Sequence, residues 1–193
     1  MAKAKTAYLC SACGAHSVKW AGQCPDCGAW NTLSETTIAT ARGPSTGGAS
    51  ATQLGALPDD VETRHSTGFG EFDRVLGGGL VPGAVTLLGG DPGVGKSTLL
   101  QQVSARLMQD LGVCYATGEE SLRQIGQRSL RLGLDASSMN LLADTSLENV
   151  LSQARKCAAQ VLVIDSIQTM TCDDLPSAPG SVAQLREGVG RIV

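Results

Sequence analysis

Residues 89–100 read GGDPGVGKSTLL, and Gly90, Gly95, Lys96 and Ser97 fill the fixed places of a phosphate-binding loop. Phosphate oxygens are gripped by backbone N–H groups that curl round them, and glycine lets the main chain come close and take angles that a Cβ forbids. Gly90, Gly93 and Gly95 supply that freedom, while Asp91, Pro92, Val94 and Thr98 complete the stretch expected to line the nucleotide. Lys96 brings a point charge to the β and γ phosphates, and the Ser97 hydroxyl is placed to ligate Mg2+. The helix opening there aims its N-terminal dipole at the anion. The chemistry expected is a grip on a nucleoside triphosphate, taken as ATP, together with Mg2+.

Two acidic positions extend that chemistry. The apolar run VLVI at 161–164 delivers Asp165 to the carboxyl edge of an expected strand, where a carboxylate holds Mg2+ directly or through water. The run VCYAT at 113–117 ends at Gly118, Glu119 and Glu120, and Glu119 can there orient and deprotonate the water that attacks the γ phosphate. A carboxylate at either position is also what the dipole of a following helix favours. Both readings stay open for Glu119 and Glu120. The candidate catalytic residues are Lys96, Glu119 and Asp165.

Four of the seven cysteines fall early, Cys10 and Cys13 in CSAC and Cys24 and Cys27 in CPDC, with ten residues between the pairs. Each C-x-x-C puts two thiolates on one side of a tight turn, and two facing turns make the tetrahedral sulfur cage that Zn2+ accepts at roughly 2.3 Å. Gly14 and Gly28 each follow the second cysteine of a pair, where a turn with positive φ is expected. Two disulfides are the competing account, disfavoured in a cytosolic chain. A segment this small draws its folding free energy from the metal. Four protein thiolates leave no open position, so the zinc is expected to be structural. Lys19, Trp20 and Trp30 offer charge and stacking to a nucleic acid, but packing over the metal cluster is the favoured use of at least one tryptophan. Cys114, Cys157 and Cys172 are scattered in apolar or helical surroundings and read as small core residues.

These residues need a frame. Residues 84–88, AVTLL, read as a buried strand before the loop, and apolar positions at Leu99, Leu100, Val103, Leu107 and Leu111 give a helix over 97–111. Phe69, Phe72, Val75 and Leu76 suggest a short helix stopped by Gly77, Gly78 and Gly79. Further on come a strand over 113–117, a helix over 121–132 and a strand over 139–143. Thr145 and Glu148 form a capping box for a helix through Ala159, and a last helix begins near Ser181. Alternation of this kind implies a parallel sheet with helices on both faces and nucleotide at the carboxyl ends of the strands. The fold class is therefore α/β, a P-loop core preceded by a small zinc-ribbon-like module.

Composition agrees with that plan. Of 193 residues, 42% are hydrophobic and 17% charged, as in ordinary globular chains, while 3% aromatic residues and 24 glycines mean a core of Leu, Val, Ile and Ala with many tight turns. No apolar run reaches the roughly 18 residues of a membrane span, and MAKAKTAYLC lacks a signal-peptide core. A cytosolic location without membrane contact is expected. A net charge of −3 gives no global attraction for nucleic acid, so any such binding must come from local basic groups. Ser, Thr, Gly and Ala dominate residues 34–57, which read as a flexible linker. The expected division is a metal module at 8–33, a linker at 34–57 and an ATPase core at 58–193.

The stretch HSTGFGEFDRVLGGGLVPGAVTLLGGDPGVGKSTLL resembles the start of RecA-like ATPase cores. Together with the amino-terminal C-x-x-C pairs, ATGEES and VLVIDSIQT, the chain resembles the bacterial DNA repair branch of that family, from Tyr8 onward. The resemblance implies a DNA-dependent ATPase that forms a homo-oligomeric ring, a hexamer, translocates on single-stranded and branched DNA, and drives branch migration in recombinational repair with the RecA recombinase. It also implies Lys96 and Ser97 as phosphate and Mg2+ ligands, Glu119 as catalytic carboxylate, Asp165 as the Mg2+-associated one and the four cysteines as zinc ligands. That family continues through a KNRFG-type motif, which is absent before Val193. The groups that complete a ring ATPase site are expected beyond that residue. The alternative expectation is an adaptor that docks on a repair partner and uses nucleotide only as a switch.

Overall fold

The computed structural model describes residues 5–38, 53–56 and 63–193. The chain divides into two compact units, Met1–Glu62 and Thr63–Val193. The remainder of the stretch read as a linker, 39–52 and Leu57, lies outside the described residues.

In the first unit, β1 (Lys5–Cys10) is the middle of an antiparallel sheet, paired with β2 (His16–Ser17) on one side and β3 (Leu33–Ile38) on the other. The register runs from Lys5 opposite Ile38 to Cys10 opposite Leu33. The first residues read as linker, 34–38, are thus strand. LSETTI carries no apolar run, but two threonines and an isoleucine are good strand formers once a partner strand is present. Buried Cys10, Cys24 and Leu33, with Tyr8, Cys13, Ala15 and Ala21 against them, form the small core. Trp20 and Trp30 are not in it, at 59% and 69% exposed. The expectation that at least one packs over the metal cluster does not hold. Trp30 instead lies over the Gly22 backbone, and Cys27 of the sulfur set is itself exposed.

The second unit carries a parallel sheet in which β4 (Val113–Thr117) lies between β5 (Asn140–Ala143) and β6 (Val161–Asp165). All of β4 is buried, as a central strand covered on both faces must be. Tyr115 on one face packs with Ala105, Ile125 and Val163, beneath α2 (Lys96–Leu107) and α3 (Leu122–Arg131). Ala116 on the other packs with Val150 of α4 (Leu147–Lys156) and with Met170. The expected arrangement, helices on both faces of a parallel sheet, is present. Ahead of it, α1 (Gly70–Val75) is a short helix that brings Phe72 onto the Val103, Leu107 and Val113 cluster.

Two local expectations are corrected. Residues 84–88 form no strand: they pair with nothing among the described residues, and Val85 and Leu87 are 54% and 82% exposed. Apolar β-branched composition is a preference for a pleated, half-buried surface, and without a neighbouring strand it does not make a ladder. The cap of α4 is Ser146, not Thr145; its hydroxyl accepts from the Asn149 N–H. Glu148 is drawn away from any capping role by Arg191 of α5 (Val182–Ile192). The two-way capping box belongs to α3, between Ser121 and Gln124.

Candidate nucleotide site and metal centre

The phosphate loop turns into α2 through Gly95, whose φ of 102° is left-handed, two residues after Gly93 at 81°. A Cβ at either position would be strained by the backbone alone. No side chain caps α2, so its first N–H groups keep the donors that a phosphate group would take. Lys96 Nζ donates to the carbonyls of Gly90 at 2.7 Å and Asp91 at 2.9 Å, which holds the ammonium over the loop. Ser97 and Thr98 follow in the first turn of α2. Asp91, Pro92 and Val94 form the exposed crown, and Val94 is 68% exposed.

Asp165 ends β6 and is 9% exposed. Its Oδ2 accepts from the Tyr115 hydroxyl at 2.7 Å. Burial, reinforced by that carboxylate, pushes the Tyr115 phenol well above its usual range, so it stays a donor. Glu119 lies beyond β4, exposed, with its Oε1 accepting from the Ser166 hydroxyl at 2.7 Å. The Thr117 hydroxyl oxygen accepts the backbone N–H of Glu119 at 3.3 Å and of Glu120 at 3.1 Å, shaping the turn between them. Glu120 is taken by Arg128 of α3. Parallel pairing of Thr117 with Asp165 therefore brings the two strand ends, and with them Glu119 and Asp165, to one edge. No hydrogen bond among the described residues joins Lys96 or Ser97 to either carboxylate.

Gly118 reads from the sequence only as the end of a strand. A Cβ there would stand 2.1 Å from Thr169 Oγ1 and 2.7 Å from Thr169 Cβ, so the turn carrying Glu119 is packed against the segment after β6. Tyr115 and Ser166 carry no mark in the sequence pattern, and Arg128 reads there only as a helix residue. For Tyr115 a signal exists: a phenol in a wholly buried strand needs an internal partner.

In the first unit the two cysteine turns repeat each other. Cys10 N–H donates to Ala15 O at 2.9 Å and Gly14 N–H to Cys10 O at 2.8 Å; Cys24 N–H donates to Ala29 O and Gly28 N–H to Cys24 O, both at 2.9 Å. Gly14 and Gly28 share a φ of 73°. The four Sγ atoms lie within 4.8 Å of one another, with Cys10 to Cys27 and Cys13 to Cys24 each at 3.7 Å. A tetrahedron with arms of about 2.3 Å has edges of about 3.8 Å, which the Cys10–Cys27 and Cys13–Cys24 edges match. Hydrogen bonding and burial act unequally on the thiols. At Cys10 burial raises the pKa but is outweighed by hydrogen bonding with Thr32 and local backbone, which brings it to about 6. At Cys13 the backbone at Ala15 lowers it but burial and the neighbouring thiols push it to about 12. Four thiolates at this spacing require a divalent cation, and the closed sulfur set fits structural Zn2+. Cys114 and Cys172 are buried elsewhere and Cys157 is half-buried, in keeping with packing roles.

Comparison with known families agrees with both halves. Residues 65–193 match the DnaB-like helicase C terminal domain, and residues 8–35 match the rubredoxin metal binding domain. The chain belongs to the DnaB-like helicase C-terminal-domain family. This member is also similar along its length to proteins named DNA repair protein RadA. It is 48% identical to that of Pseudomonas aeruginosa over 100% of this chain and 44% of the relative. It is 45% identical to that of Bacillus subtilis over 97% of this chain and 43% of the relative. The chain thus spans less than half the length of these relatives. Among solved structures, a KaiC-like protein of Pyrococcus horikoshii superposes with a TM-score of 0.57 at 23% identity, over 68% of this chain and 64% of that one. That likeness is one of fold, a RecA-like α/β core, here behind a four-cysteine module. No helix among the described residues is long and apolar enough to cross a membrane.

Proposed function

We propose that the chain is the zinc-bearing, nucleotide-binding part of a DNA repair ATPase. The observation that carries the reading is the meeting of Glu119 and Asp165 at one sheet edge, with Glu120 withdrawn by Arg128, in a chain that also holds the phosphate loop. In this reading residues 90–98 cradle the triphosphate of ATP, and Lys96 exchanges its loop carbonyls for β and γ oxygens. Bound Mg2+ would neutralise phosphate charge, with Ser97 and Asp165 as its protein ligands. Glu119 is the base: one oxygen is steadied by Ser166, the other takes the proton of the attacking water. The cysteine module, 8–33 in the sequence division, holds Zn2+ and acts as a folded appendage to an ATPase core over 58–193.

The names of the relatives support a setting in DNA repair, and the helicase family supports DNA as the track of a ring-forming motor. We infer turnover driven by single-stranded or branched DNA, branch migration alongside the RecA recombinase, and a cytoplasmic location. The test is ATP hydrolysis by a full-length protein with and without single-stranded DNA, in wild type and Lys96→Ala. Stimulation by DNA and its loss in the variant are expected; equal turnover in the two proteins would refute the mechanism.

A further inference from the structure

We propose that Tyr115 is the positioning residue for the Mg2+-associated carboxylate, a role that rests on the nucleotide reading of the site. The Tyr115 hydroxyl donates to Asp165 Oδ2 at 2.7 Å, and the tyrosine is 1% exposed. The register dictates the meeting. Tyr115 stands opposite Val163 on the parallel neighbour, and Asp165 is two residues further along the same face. A phenol is long enough to reach past Val163 to the acid at the strand end. A phenylalanine fills the same space but cannot direct the carboxylate.

The consequence lies in which oxygen remains. With Oδ2 engaged by the Tyr115 hydroxyl, the carboxylate is held about its terminal bond, and no hydrogen bond is made by Oδ1 among the described residues. Oδ1 is therefore the oxygen presented to a metal-bound water or to the ion. Donors behind a ligating carboxylate fix its orientation, and their removal characteristically weakens metal binding by about 10-fold to 100-fold. The counterpart on the other acid is Ser166 and Glu119, so each strand end is held by a hydroxyl from the other.

The proposal is tested on the 193-residue chain with Mn2+ as a spectroscopic stand-in for Mg2+ and a slowly hydrolysed ATP analogue as nucleotide. Free Mn2+ is read by electron paramagnetic resonance, and metal-free nucleotide affinity by fluorescence. Tyr115→Phe is expected to weaken Mn2+ binding about tenfold or more while leaving metal-free nucleotide affinity within about twofold. Unchanged Mn2+ affinity would overturn the proposal, and so would equal weakening of both, which marks a general packing defect. Should Tyr115→Phe fail to fold, the wild-type chain labelled with 3-fluorotyrosine gives the second measurement, since Tyr8 and Tyr115 are its two tyrosines. The Tyr115 fluorine resonance must shift when Mg2+ is added to the nucleotide-bound protein and not on nucleotide alone; a signal indifferent to Mg2+ overturns it. A wild-type chain that binds no nucleotide at all refutes the nucleotide reading and this proposal with it, whereas normal wild-type binding with an indifferent Tyr115 refutes only the proposal.

Discussion

Arg128 of α3 reaches back to Glu120 at the end of the turn after β4, and that ion pair decides between two neighbouring carboxylates. Both side chains of the pair are largely covered, at 16% and 25% exposed, while Glu119 faces solvent and accepts from the Ser166 hydroxyl. Glu119→Gln is expected to bind nucleotide normally but to lose turnover of the full-length protein by roughly a hundredfold or more, the cost of removing a positioned base. Glu120→Gln leaves a covered guanidinium short of its counter-charge and is expected to cost about 2–4 kcal/mol of stability. Chemical denaturation of both variants, set beside their hydrolysis rates, separates the two roles; a stability loss at Glu119 and a rate loss at Glu120 would reverse the assignment.

Gly118 sets the position of Glu119. Alanine there would meet Thr169 at 2.1 Å from Oγ1 and 2.7 Å from Cβ, so one side must give way. Gly118→Ala is expected to destabilise the unit by about 1–3 kcal/mol, the usual cost of overpacking. Adding Thr169→Ala removes the hydroxyl but keeps the Cβ, and only part of the loss should return in thermal melting. Full recovery would mean that the hydroxyl alone is the obstacle.

How much of this was legible in the residues follows from the range of the interactions. The cysteine pairs and the alternation of strands and helices after the loop depend on local spacing, and the four sulfurs do gather and the three strands do pair in parallel. Residues 84–88 misled because apolar composition reports a wish for burial and not the presence of a pairing partner. The cap of α4 slipped by one residue because Ser146 and Thr145 are both competent, and Arg191, 43 residues beyond Glu148, removed the acid that favoured the earlier one. Tyr115 to Asp165 and Ser166 to Glu119 join residues 50 and 47 apart. No local pattern encodes such pairs, which form only once β4 and β6 are in register.

The metal should govern one unit and spare the other. Cys10 and Cys24 close the small core of the first unit with Leu33, and Cys13 and Cys27 complete the sulfur set beside them. Chelation, or Cys24→Ser, is expected to melt β1 to β3 and release one equivalent of zinc, with nucleotide binding by residues 63–193 retained within about twofold, since zinc modules of this size take their folding energy from the metal. Zinc release read with a colorimetric dye, beside circular dichroism and nucleotide titration, checks it. Loss of nucleotide binding on chelation would show the two units to be coupled.

Asp73 offers a pH test of the start of the second unit. It accepts from the Ser66 hydroxyl at 2.6 Å and from the Thr67 hydroxyl at 2.6 Å and N–H at 2.9 Å, and these bonds hold its pKa below the ordinary carboxylate value against the effect of burial. A depressed folded-state pKa contributes stability that is present above the unfolded value, about 4, and is lost as pH falls through the folded one. Wild type should therefore exceed Asp73→Asn in melting temperature at about pH 6 to 7, and the gap should close as the pH is taken from about 4 downward. A gap that stays constant down to about pH 3 would mean that the hydroxyls bind the carboxyl equally well in both protonation states.

Ser166 gives the sharpest separation of holding from building. Its hydroxyl touches Glu119 Oε1 at 2.7 Å from the end of the neighbouring strand, and it belongs to neither of the apolar clusters that flank the sheet there. Removing the donor frees the acid to rotate, which under the proposed mechanism lowers the fraction of time it faces the attacking water without altering how nucleotide is gripped. Ser166→Ala is thus expected to lower kcat of the full-length protein about tenfold, the scale of one lost hydrogen bond to a charged group, with KM for ATP and melting temperature nearly unchanged. Ser166→Thr keeps the hydroxyl and should restore most of the rate. A rise in KM with kcat intact would place Ser166 in nucleotide binding, and equal losses in the alanine and threonine variants would make its contribution one of shape.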